Sequence, residues 1–144
     1  MNRTTRIKVK NSGIVKLAVR KDPRRGNLFV AEAMKNIPFP VRRVYFTNNI
    51  KDASAVRGGH AHKKTTQVIF CANGSFVLNL DDGKRKQKLL LNNPAFGIIL
   101  GPKLWHTMSK FSKDCVILVI SSDYYNEKDY IRGHAEFLRI VKKL

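Results

Sequence analysis

Acidic residues are scarce in this chain: 10 Asp and Glu stand against 28 Lys and Arg in 144 residues, a formal net charge of +18. A surface so positive points to an anionic partner, and nucleic acid, membrane and phosphorylated small molecules are the classes it admits. The basic residues are not gathered into one tail. Met1–Lys10, Arg20–Arg25, Lys84–Lys88 and Lys142-Lys143 are separated by apolar stretches, unlike a disordered nucleic-acid-binding arm. No RNP-like aromatic strand, helix-turn-helix pattern or Cys/His finger spacing is present, so no nucleic acid partner is expected. Cysteine is also rare. Cys71 and Cys115 both sit inside apolar runs with no secretory signal before them, so buried free thiols and a reducing cytoplasm are expected. Long apolar runs are missing as well: Cys115 to Ile120 is far too short to cross a bilayer, and no membrane association is expected. Without an internal repeat or a low-complexity linker, residues 1–144 read as one domain, and 43% hydrophobic content is enough for an ordinary core.

What is present is a succession of short strands and turns. Ile14–Val19 reads as a first strand, and Asp22-Pro23-Arg24-Arg25-Gly26-Asn27 as a turn into a second, Leu28–Ala33, the pair forming a hairpin arm. Asn36-Ile37-Pro38-Phe39-Pro40 breaks regular structure. Arg43–Thr47 follows as a strand, then Gln67–Cys71 and Phe76–Leu80 around the hairpin signal Asn73-Gly74. Asp81-Asp82-Gly83-Lys84 marks another turn before strands at Gln87–Leu91, Gly97–Leu100, Leu104–Met108 and Val116–Ser121. Roughly ten strands at this spacing predict an all-β sandwich or small barrel. From Asp129 onward, Phe137, Ile140 or Val141, and Leu144 recur at helical spacing, predicting a C-terminal helix outside the β body.

The chemistry concentrates in Arg57-Gly58-Gly59-His60-Ala61-His62-Lys63. On a strand, alternate side chains share a face, so His60 and His62 would converge on one pocket. Two imidazoles there can ligate a metal, or act as acid and base near neutral pH.

Together with Gln67 and Gly74, His60-x-His62 has the spacing of the first cupin motif, and Gly97–Gly101-Pro102-x-x-Trp105-His106 is similar to the second. More narrowly, the Arg57–Lys63, Gly101–His106 and Ser121–Arg132 segments resemble the nucleotide-sugar 3,4-ketoisomerases. The resemblance implies a cupin double-sheet jelly roll with its pocket in the barrel mouth, and a cytoplasmic homodimer with exchanged N-terminal strands. It also implies isomerisation of dTDP-4-keto-6-deoxy-D-glucose to dTDP-3-keto-6-deoxy-D-galactose, for 3-amino-3,6-dideoxy sugars of the kind found in lipopolysaccharide O-antigens. A metal-binding cupin would place a carboxylate at Gln67, and a neutral amide is a poor ligand. No metal and no cofactor are therefore expected, and the histidines are left to move protons.

By the same resemblance, His62 is the expected base on carbon and His60 its acid/base partner on the sugar oxygens. Arg25 and His106 look like the galacto-forming branch, which makes His106 a third catalytic candidate acting at C4; the gluco-configured 3-keto product is the alternative. Arg43 and Arg57 suit the diphosphate, since guanidinium makes bidentate phosphate contacts. Tyr45 suits a sugar hydroxyl or developing enediolate, and Gln67 joins the substrate-binding set. Trp105 and Phe111 are candidates to stack on thymine, Tyr124, Tyr125 and Tyr130 to close one end of the pocket, and His134 is expected at the surface. Two other readings stand beside this one: a cupin epimerase acting at C3 and C5, and a non-catalytic cupin that binds a sugar nucleotide.

Overall fold

A computed structural model describes residues 5–143, so Met1–Thr4 of the first basic cluster and Leu144 of the expected helical stripe lie outside the described residues. Among the described residues twelve strands form, most of them in two five-stranded sheets that face each other. The first sheet runs β1 (Ser12–Lys16), β9 (Phe96–Leu100), β6 (Gln67–Asn73), β11 (Val116–Ser121) and β4 (Arg43–Thr47). The second runs β12 (Tyr130–Ile131), β5 (Arg57–His62), β10 (Trp105–Ser109), β7 (Phe76–Asp81) and β8 (Lys86–Leu91). This is the predicted all-β double-sheet jelly roll with one C-terminal helix, α1 (His134–Lys142).

Burial explains the sequence patterns. β6 is buried at five consecutive positions, Gln67 to Cys71, because both of its faces are covered. Ile69 and Cys71 enter the core between the sheets beside Phe76, Leu78, Leu89 and Leu91. Val68 and Phe70 face the other way, under Ile37 and Phe39. The proline-broken segment therefore acts as a lid on the outside of the first sheet. Both cysteines are free and buried, and burial pushes the Cys71 thiol up to about 12.

Beyond shifts of one or two residues at strand ends, three departures from the expected elements change the architecture. The expected strand Ile14–Val19 is two strands: β1 ends at Lys16, Leu17 turns into the cluster around Ile37, donating its N–H to the Ala95 carbonyl, and β2 (Ala18–Asp22) begins. β2 pairs only with β3 (Gly26–Val30), so the hairpin arm exists, its first strand starting at Ala18 and its second two residues earlier than the expected Leu28. Helix does not begin at Asp129. A single 3-10 turn, Glu127–Asp129, leads into β12, which pairs with β5, and α1 starts at His134. The cause is local: the backbone and side chain of Asp129 are already engaged by Lys63 and Lys64 after β5, which ties the segment to the sheet. No helix among the described residues is long and apolar enough to cross a membrane.

Gly97 lies on β9 between β1 and β6, where an added methyl would fall 2.5 Å from the Phe70 ring and 2.7 Å from Val68. Gly97→Ala is expected to cost about 1–3 kcal/mol through overpacking, seen as a lower urea midpoint at unchanged slope. An unchanged midpoint would show that this contact does not constrain the sheet.

Candidate active site

The strand β5 delivers its two histidines as alternation requires, with Ala61 between them facing α1. Gly58 and Gly59 precede them with φ of 78° and 73°, and the β5–β10 register shifts there, between His106 and Thr107. A side chain at Gly58 would lie 2.8 Å from the His106 carbonyl, so this close crossing is open only to glycine. His106 on β10 is paired directly with His60. The rings assemble accordingly: His60 stands edge-on to both His62 and His106, with centroids 5.3 and 4.8 Å away. His62 and His106 lie 6.3 Å apart in nearly parallel planes.

Hydrogen bonds sort the ring nitrogens. His62 Nδ1 is 3.0 Å from Asp129 Oδ2, and both side chains are buried. The Asp129 carboxyl is held below its ordinary range: burial opposes ionisation, but hydrogen bonds from Thr65, Lys64 N–H and His62 outweigh it. An ionised Asp129 can only accept, so His62 carries its proton on Nδ1 and Nε2 keeps a lone pair. That Nε2 is buried without a protein partner, as is His60 Nδ1. His106 Nδ1 lies 3.2 Å from the Leu104 carbonyl, which likewise leaves Nε2 as the lone-pair nitrogen.

All three rings are kept neutral. Burial, then the neighbouring His62, pushes His60 down to about 4. Burial, with His60 and His62 beside it, pushes His106 down to about 3. His62 is also lowered by burial, but the Asp129 hydrogen bond and charge work against the shift. The result is a set of buried, unprotonated imidazoles with open nitrogens, suited to taking up and passing on a proton. Among the described residues no group of three or more His, Cys, Asp or Glu side chains has a metal-holding arrangement.

The opposite wall comes from the first sheet. A small cavity of about 80 Å³ is lined by His60 and His106 with Tyr45, Thr47, Arg57 and Gln67, above Ile69, Met108 and Val119. Gln67 Nε2 donates to the Tyr45 hydroxyl at 3.2 Å. Burial raises the Tyr45 pKa, with Gln67 and Arg43 working against that shift, so the phenol stays protonated. The Arg43 guanidinium stacks on Tyr45 at 4.8 Å, and its Nε is buried with no partner. His60, His62, His106, Arg43, Tyr45, Arg57 and Gln67 are thus brought together.

Trp105 and Arg25 are not. Trp105 precedes the inward-facing His106 on β10, so alternation turns the indole to the outer face, against Phe137 and His134. It cannot stack on anything held at the histidines. Phe111 packs on Phe76 in the core instead. Arg25 stands on the tip of the arm, its side chain 87% exposed and paired with Asp22. His134, expected at the surface, is half-buried, with Nε2 2.9 Å from Asp81 Oδ2.

Two contributors escaped the sequence reading of the site. Helical spacing from Asp129 onward assigns that residue to the helix. Tyr130 had been read only as part of a closing segment, yet its ring centroid lies 4.9 Å from His60 and 4.6 Å from His62. The signal for both was the acid-and-tyrosine segment Ser121–Arg132, but its strand pairing with β5 has no local pattern.

Comparison with known proteins agrees with this geometry. The family model FdtA: WxcM-like, C-terminal matches residues 10–142. A TDP-4-oxo-6-deoxy-alpha-D-glucose-3,4-oxoisomerase of Aneurinibacillus thermoaerophilus is 48% identical over 120 residues, 83% of this chain and 86% of the relative. The sugar 3,4-ketoisomerase QdtA of Thermoanaerobacterium thermosaccharolyticum, solved in complex with TDP, is 36% identical and superposes with a TM-score of 0.90 over 94% of this chain and 98% of its own. A His-to-Asn variant of QdtA in complex with TDP-4-keto-6-deoxyglucose gives 35% identity and a TM-score of 0.91, covering 94% and 97% of the two chains. A match across nearly the whole sequence, on a jelly roll whose two sheets enclose three neutral histidines, makes this chain a member of the FdtA/WxcM-like family, the sugar 3,4-ketoisomerases of the cupin superfamily.

Proposed function

We propose that residues 1–144 form one domain that converts dTDP-4-keto-6-deoxy-D-glucose to dTDP-3-keto-6-deoxy-D-galactose by metal-free proton transfer between histidines. The observation that carries the reading is the buried, unpartnered His62 Nε2 backed by the Asp129 carboxylate on Nδ1. The C4 ketone acidifies the hydrogen on C3, and His62 Nε2 abstracts it to give an enediolate. Protonation at C4 and on the C4 oxygen, with loss of the O3 proton, completes the shift: two protons leave C3 and O3 and two arrive at C4 and O4, so none is gained or lost overall. His60, in edge contact with both other rings, carries protons on the oxygens. His106, after taking a proton on Nε2 by way of the neighbouring His60, delivers it to C4 from the face that gives the galacto configuration; the gluco-configured product is the alternative if it does not. An anionic enediolate beside the rings favours their charged forms and opposes the effect of burial during the step.

Arg43, with its unpartnered Nε, and Arg57 at the mouth meet the diphosphate, while Tyr45 and Gln67 hold sugar oxygens. The small cavity takes the reacting edge of the sugar, and the nucleotide lies across the mouth. A homodimer completes the picture. Val44 and Phe46 on the edge strand β4 are 57% and 67% exposed, and Leu28 on the arm is 56% exposed, a pattern that favours covering by a second copy. With N-terminal strands exchanged, the partner's Arg25 would reach the substrate that this chain's histidines hold. Product of this kind feeds 3-amino-3,6-dideoxy sugar synthesis, and the enzyme is placed in the cytoplasm.

Each of His60→Asn and His62→Asn is expected to abolish isomerisation while EDTA leaves the wild type active; activity retained in His62→Asn, or lost on chelation, would overturn the assignment. Asp129→Asn keeps the fold but removes the group that fixes the tautomer, and a fall in kcat of about 10²-fold or more is expected. An unchanged kcat would assign Asp129 to structure alone.

Acid should act in two ways. The unfolded chain binds protons at its histidines near pH 6.5, whereas the folded protein resists protonation of His60 down to about 4 and of His106 down to about 3. Stability from these groups is complete above about pH 6.5 and falls as pH drops through that window. The acid limb of kcat/KM is expected below about 6.5 for the same reason; a limb at or above that value would contradict burial of neutral rings.

A further inference from the structure

The tryptophan that the active site does not use faces a larger hollow. On the outer face of the second sheet, beside α1, a groove of about 390 Å³ is lined by Trp105, Thr107, Asn79, Asp81, Lys86, Lys88 and His134 among others. That volume lies in the range of small-molecule sites, roughly 300–1,000 Å³. Strand register builds it. Trp105 pairs with Asp81, and Asp81 with Lys86, making one row across β10, β7 and β8; Thr107, Asn79 and Lys88 make the next. Each row therefore ends in an ammonium group on the outer strand.

The charges in the groove are unequal. Asp81 is its only carboxylate among the described lining residues, and it is already engaged: Oδ1 accepts from Gly83 N–H, and Oδ2 lies 2.9 Å from His134 Nε2 and 3.9 Å from Lys86 Nζ. Lys88 has no such counter-charge in the row that carries it, where Asn79 donates to the Thr107 hydroxyl at 3.2 Å. An indole wall at one end, amide and hydroxyl groups in the middle and ammonium groups at the other end recognise a planar ring joined to an anion.

We propose that this groove is a second binding site, separate from the histidine pocket, that takes a nucleoside monophosphate: the base lies against Trp105 and the phosphate between Lys86 and Lys88. Base stacking on an aromatic side chain contributes about 1–3 kcal/mol and tolerates any base. Because Trp105 and His106 are neighbours on β10 facing opposite ways, the two sites share one strand. The proposal does not depend on which sugar nucleotide the histidines act on.

Trp105 is the only tryptophan, so its indole N–H gives a single NMR signal. Titration of the full-length protein with adenosine 5′-monophosphate is expected to shift that signal saturably, with adenosine alone or inorganic phosphate alone at least about tenfold less effective. Lys86→Ala combined with Lys88→Ala is expected to weaken the nucleotide about tenfold and to leave isomerase activity unchanged. The proposal is overturned if the signal does not saturate, if the double variant binds equally well, or if phosphate alone reproduces the shift.

Discussion

The active site depends on one hydrogen bond, between Asp129 Oδ2 and His62 Nδ1, because it links catalytic chemistry to chain topology. Asp129 is positioned by backbone contacts to Lys63 and Lys64 just after β5, so the loop that supplies the carboxylate is pinned to the strand that supplies the imidazole. The following strand pair, Tyr130 with His62 and Ile131 with Ala61, completes the second sheet at its edge. Tyr130 thereby comes to lie on both histidines, and Ile131 joins Phe137 under α1. Local order in the last 20 or so residues and the tautomer of His62 thus have the same cause.

Neutrality of the rings follows from enclosure. Three imidazoles within a few ångströms of one another cannot all be charged in a buried space, and burial favours the uncharged form of each. Asp129 distinguishes His62 by opposing that shift, so it is the ring best fitted to accept a proton, while His60 and His106 are the ones that give a proton up readily. Arg57 lines the cavity and Arg43 stacks beside it, so positive charge borders this enclosure. Arg43 is stacked on Tyr45 at 4.8 Å and on Tyr125 at 5.6 Å.

Much of this is legible in the sequence because it is periodic. Alternation puts His60 and His62 on one side of a strand, and the turn at Asp81–Lys84 joins the paired strands β7 and β8, whereas the expected hairpin at Asn73-Gly74 is instead a crossover that carries the chain from the first sheet (β6) to the second (β7). The spacing of the histidine motifs, by its resemblance to a known family, identifies the jelly roll and the pocket. What was not legible is non-local. The orientation of Trp105 follows from the same alternation that was used for the histidines, but applied to β10 it turns the indole away from His106 rather than toward it. Asp129 falls at the start of a stretch whose apolar residues, Phe137 and Ile140 or Val141, recur at helical spacing, and Tyr130 falls in the segment expected to close the pocket. Their pairing with β5 overrides that weak preference through contacts 60 and more residues apart in sequence. Arg25 lies at the exposed tip of the arm, apart from the residues that line the histidine cavity.

In the proposed reaction this enclosed trio shifts the ketone by removing a proton from C3 and delivering another to C4. NMR of the product formed from dTDP-4-keto-6-deoxyglucose in deuterated water tests it most directly. The expected product is a 3-keto sugar in the galacto configuration with deuterium at C4. A ketone that remains at C4, or deuterium incorporated at C5, would contradict it.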